Sequence, residues 1–147
     1  MKQAIVFIAL LAISLSASAQ MSSWKITLNK KAVIKSSTVD DTVANVIRVK
    51  KADLSNNNLF KIEFDDNKAN EVPKGWVRSI GLFDEKGEGT AQKDSADQIF
   101  LFNKDLLKII WTRKKLNICA WLAPADPAMA KAIRIKRNVL GVLILED

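Results

Sequence analysis

From Trp24 onward, apolar and polar positions alternate in short runs, and the period is two in most of them. Trp24, Ile26 and Leu28 stand against Lys25 and Thr27, and Asn29-Lys30 then offers a two-residue turn into 32–35, which predicts a hairpin. Asparagine tolerates a positive φ, whereas Lys30 stands where a primed turn prefers glycine. After a polar connection, 43–50 reads as a β-branched strand, with Ile47 and Val49 opposing Arg48 and Lys50. Ser55-Asn56-Asn57-Asn58 marks a turn. Phe60, Ile62 and Phe64 then alternate with Lys61 and Glu63 in the cleanest period-two run, a strand with one wet face.

Residues 76–83 predict the next strand, with Trp76, Ile80 and Leu82 on the core face and Arg78 on that same apolar side. A turn-rich stretch, 84–89, leads on to a short strand at 98–102. The pattern changes once: Leu106, Leu107, Ile110 and Trp111 recur at helical spacing behind Asn103 as N-cap, with Asp105 in the first turn. Leu116, Ile118, Ala120 and Leu122 resume the alternation until Pro124. Asp126 followed by Pro127 predicts a capped helical turn over 126–132. The last strand is expected to start with Ile133 and Ile135 facing in and Arg134 and Lys136 facing out, and it turns continuously apolar over 139–145. Gly141 marks a bulge or a close backbone approach there.

About eight short strands with one brief helix predict an all-β fold, an antiparallel immunoglobulin-like β-sandwich, with a small closed β-barrel as the alternative. The resemblance extends to small exported β-sandwich modules in general; two cysteines bracketing a core tryptophan are absent, since Cys119 is the single cysteine. Residues 1–19 read as a cleaved signal peptide, with Lys2 at the positive start, an apolar run over 4–13 and Ala17-Ser18-Ala19 at the cleavage site. Residues 20–147 then form a single domain, exported to a periplasm or beyond the cell. After cleavage no apolar run approaches the roughly 20 residues of a membrane-spanning helix.

The missing residue types narrow the chemistry. The chain has no histidine and no tyrosine, which removes the usual general base at neutral pH and the His-assisted nucleophiles. Cys119 lies mid-strand between Ile118 and Ala120 and reads as a small buried apolar residue. Three acid clusters, Asp40-Asp41, Asp65-Asp66 with Asn67 and Glu71, and Asp84-Glu85 with Glu88, lack the ladder of oxygen ligands a calcium loop requires and read as solvated turns. Gly87 and Gly89 are too few to cradle phosphate. Trp24, Trp76, Trp111 and Trp121 sit in or beside apolar runs, which favours core packing for most of them. No catalytic residue, metal or cofactor is expected.

Charge supplies the remaining candidate. Between residues 113 and 137, Arg113, Lys114, Lys115, Lys131, Arg134, Lys136 and Arg137 face the single acid Asp126, whereas the rest of the chain after residue 19 balances at 15 basic and 15 acidic residues. If the strands flanking this segment are neighbours, the cations share a face or an end. The sequence thus predicts a non-catalytic module that binds a protein or a cell-envelope component. A basic-patch binder of anionic lipid headgroups or acidic polysaccharide is the alternative, and an enzyme built on carboxylates, lysine or Cys119 ranks last. Nucleic acid is not expected, because export removes the chain from it and aromatics do not interleave with the cations.

Overall fold

The structure is a computed structural model; it describes residues 24–36, 45–64, 72–94 and 98–147. The signal-peptide reading at 1–19 and the acidic residues 40, 41, 65, 66 and 71 lie outside them. Nine strands and three helices occur among the described residues: β1 (Trp24–Leu28), β2 (Lys31–Ser36), β3 (Val46–Lys50), α1 (Lys51–Leu54), β4 (Leu59–Phe64), β5 (Trp76–Phe83), β6 (Gly89–Lys93), β7 (Gln98–Phe102), α2 (Asn103–Arg113), β8 (Lys115–Pro124), α3 (Pro127–Ala132) and β9 (Asn138–Glu146).

The strands form two sheets that do not close into a barrel, with orders β2-β1-β4-β7 and β3-β9-β8-β5-β6. Pairing is antiparallel throughout, except that β3 runs parallel to β9. Alternation decides which side chains meet between the sheets. Trp24, Ile26, Phe60, Ile62 and Ile99 come from one sheet, and Ile80, Leu82, Leu116, Ile118 and Leu143 from the other; α2 closes the core with Leu106 and Ile110. Burying such side chains contributes roughly 1.5–3 kcal/mol each before the entropy of ordering them is set against it.

Local chemistry explains the connections. Asn29 and Lys30 both hold positive φ, 53° and 68°, so the β1–β2 turn is of the primed kind despite the lysine. The Asn29 side chain compensates: its Oδ1 accepts from Nδ2 of Asn103 at 2.6 Å and of Asn56 at 3.2 Å, and its Nδ2 donates to the Asp53 carbonyl at 3.0 Å. One asparagine cluster thereby ties the hairpin tip to α1 and to the start of α2. Asn103, read as a cap, is the first helical residue, and its side chain is fully buried in this cluster. Asp126 caps α3 as its sequence implies, accepting from the Ala128 N–H at 2.8 Å. Gly141 is required by a close approach: a Cβ there would stand 2.9 Å from the Asn45 carbonyl oxygen, which accepts from the Val142 N–H. The β8–β9 register also shifts at Ile118/Cys119, so β9 carries an extra residue, and this bulge explains the unbroken apolar run.

Further expectations are corrected, and two elements were not anticipated. The last strand begins at Asn138; residues 133–137 are not a strand, and Ile133 is exposed. Trp76 does not belong to the core: it opens β5 and is 38% exposed, and Trp111 on α2 is 47% exposed, leaving Trp24 and Trp121 as the buried pair. β6 was not anticipated, because Gly89-Thr90-Ala91-Gln92-Lys93 has no apolar alternation. Nor was the four-residue α1. Arg78 is buried on the inward face of β5, its guanidinium 4.2 Å from the Phe64 ring centroid, where cation–π attraction offsets part of the cost of burial.

Candidate functional site

The outward face of the five-stranded sheet is not simply wet. Phe83 on β5 and Cys119, Trp121 and Ala123 on β8 form a second, smaller apolar cluster there, roofed by Ile135 and Val139. Phe83 and Trp121 meet edge-to-face, ring centroids 5.6 Å apart. The alternation of Ile133 and Ile135 that resembled a strand start instead anchors a non-strand crossing: Ile135 goes down into this cluster while Arg134, Lys136 and Arg137 remain exposed.

Between that crossing and β6 lies an open groove of about 750 Å³, lined by Gln92, Trp121, Arg134, Ile135, Lys136 and Arg137. Among the described residues its lining holds three cations and no acid. The Arg137 guanidinium lies 4.1 Å from the Phe83 ring centroid and 5.7 Å from that of Trp121, and its Nη1 donates to the Gly87 carbonyl at 3.3 Å. Stacking fixes the plane of this guanidinium and leaves other N–H groups free to meet an acceptor in the groove. Arg134 has no acidic partner among the described residues.

The first half of the basic segment behaves differently. Arg113 Nε stands 3.5 Å from Asp84, Lys115 Nζ 3.0 Å from Glu85, and Lys114 Nζ 3.3 Å from Asp147. Lys114 holds a positive φ of 62° at the end of α2, and its ammonium sits 5.0 Å from the Trp111 ring centroid. The β5–β6 turn, read as a solvated acid cluster, thus serves as counter-charge. Asp84 accepts from the N–H groups of Lys86 and Glu88, both at 2.9 Å, and the Glu88 bond first, then Lys86 and Arg113, hold its carboxyl below the usual aspartate range against the opposing effect of desolvation.

The structure therefore brings together Arg134, Lys136 and Arg137, places Arg113, Lys114 and Lys115 in ion pairs, and leaves Lys131 exposed on α3. β8 and β9 are neighbours, as the shared-patch reading required, and the two groups differ in that the first is ion-paired to Asp84, Glu85 and Asp147. Gln92, Trp121 and Ile135 are groove residues that the sequence did not single out. The outward position of Trp121, opposite Ser79 across the sheet, was the available signal. Cys119 is buried in the outer cluster. Among the described residues no group of three or more acidic or thiol side chains could hold a metal ion, and no helix is long and apolar enough to cross a membrane. No protein-family model, curated protein or solved structure matches the chain.

Proposed function

We propose that the chain is a non-catalytic binding module, exported by its first 19 residues, that holds an anionic group of an envelope component or partner protein in the Arg134–Lys136–Arg137 groove. One observation carries this reading: Arg134, Lys136 and Arg137 line one groove, and Arg134 has no acidic partner among the described residues, while the neighbouring cations are matched by Asp84, Glu85 and Asp147. The absence of histidine supports a binder over a catalyst. An immunoglobulin-like assignment is part of the proposal. If β1, β4 and β7 stand for strands A, B and E, and β5, β6, β8 and β9 for C, C′, F and G, the sheet orders agree with that arrangement, with β2 added at the edge of one sheet and β3 beside β9 at the edge of the other.

The test compares the parent with the double variant Arg134→Glu/Lys136→Glu on immobilised heparin and on vesicles containing anionic lipid. Binding should weaken by about 1 kcal/mol per lost cation, and more from the added repulsion. It should also fall with salt as the Debye length shortens from about 10 Å at 0.1 M. Retention by one matrix alone assigns the anion to polysaccharide or to lipid. Unchanged retention on both overturns the groove reading.

A further inference from the structure

The two sheets have four edge strands, and three of them carry devices that resist strand addition. β2 bears Lys31 and Lys35 and a register shift; β3 bears Arg48 and Lys50; β6 bears Lys93 and a register shift. β7 has neither. Its sequence, Gln98-Ile99-Phe100-Leu101-Phe102, contains no charge and no proline, and it pairs with β4 without interruption from Leu59↔Phe102 to Glu63↔Gln98. Phe100 and Phe102 project from its outward face, 52% and 55% exposed, and Leu59 beside Phe102 is 39% exposed. Among the described residues no strand pairs with its other side.

We infer that β7 is a homodimerisation edge, adding the β7 of a second copy in antiparallel register about a twofold axis at Phe100. The strand is self-complementary in that register. Ile99 falls opposite the copy's Leu101 and the reverse, so the inward apolar row continues across the axis; Phe100 falls opposite itself, and Phe102 opposite Gln98. An isologous pair demands this kind of symmetry, and an uncharged strand meets it with no like charges facing each other along the join. A partner strand chosen for its charge would find nothing on β7 to recognise. The cations beside it belong to other strands: Lys61 on β4 stands opposite Phe100, and the Lys93 ammonium on β6 lies 5.8 Å from the Phe100 ring centroid. The half-exposed apolar side chains amount to roughly 250–300 Å² per copy, about a third of what a standard interface buries on each partner. The dimer is accordingly weak, and the groove on the other sheet stays open in it.

Sedimentation equilibrium of the protein decides the matter. The average mass should rise from one chain towards two over about 10 μM to 1 mM, the range of a small interface. Phe100→Lys, a surface change that should leave the melting temperature near the parent's, should keep the protein monomeric throughout, whereas Lys93→Ala should shift the association to lower concentration. A Phe100→Cys variant should form a disulfide with its own copy on mild oxidation, because directly opposed residues of an antiparallel pair stand about 4.5–5.5 Å apart at Cα. Val33→Cys, on the protected β2 edge, should not. A parent that remains monomeric at 1 mM, or a dimer that Phe100→Lys leaves intact, overturns the inference.

Discussion

Arg113–Lys115 and Arg134–Arg137 are two groups of three cations drawn from one basic stretch, and the fold treats them oppositely. The first sits at the junction of α2 and β8, where Asp84, Glu85 and Asp147 converge on it. The second rides on a crossing pinned to the outer face of β5 and β8 by Ile135, with aromatic rings beneath and no acid among the described groove residues. Formal charge is therefore a poor guide to available charge. Exposed ion pairs contribute only about 0–1 kcal/mol each to stability, but they lower the electrostatic potential their cations would otherwise offer a ligand. In the second group Arg134 has no acidic partner among the described residues and keeps its potential.

The contrast can be broken most severely from below. Trp121→Ala removes the buried ring that supports Arg137 and should cost about 3–5 kcal/mol, a large share of a small domain's stability, as measured by chemical denaturation. An unfolding free energy close to the parent's would mean that the outer cluster does not hold the crossing in place. A smaller effect sharpens the contrast. Lys114→Glu/Lys115→Glu changes the same formal charge as the groove reversal, yet heparin retention should move far less than the roughly 2 kcal/mol expected there, with stability lowered by about 1 kcal/mol or so per broken pair. Equal loss of retention from the two double variants would show that net charge alone drives binding.

The smallest effect is read from pH. The folded-state pKa of Asp84 is depressed, so its contribution is present above the unfolded value and is lost as pH falls through the folded one. Glu63, held down first by its bond from Lys25 and then by that from Lys61, behaves in the same direction. Acid titration of stability should steepen below about pH 4, and Asp84→Asn should flatten part of that limb while releasing Arg113. An acid limb unchanged by Asp84→Asn would remove the turn as a counter-charge.

Much of the fold was legible because alternation and turn chemistry are local. β1, β4, β5, β8 and α2 each follow from a run of apolar positions, and the Asp126-Pro127 cap and the constraint at Gly141 follow from single residues. β6 was not legible, since Gly89-Thr90-Ala91-Gln92-Lys93 turns the small Ala91 toward the core and so shows no apolar period. Ile133 and Ile135 misled because one apolar contact through Ile135 suffices to pin a crossing, and it mimics the first pair of a strand. Trp76 misled because alternation reports which face a side chain takes and says nothing about how near the sheet's end it lies. The pairing of Arg113, Lys114 and Lys115 depends on Asp84, Glu85 and Asp147, and sequence proximity predicts none of those pairings.

The parallel pairing of β3 with β9 has a kinetic consequence. Val46 lies against Val142 and Lys50 against Glu146, and among the described residues β3 has no other strand neighbour. β9 also stands between β3 and β8, so the five-stranded sheet is in two pieces until this late strand inserts. Contacts between residues so distant along the chain slow folding, because the loop must close before the contact contributes. Completion of the five-stranded sheet therefore waits on β9, the last strand in the chain.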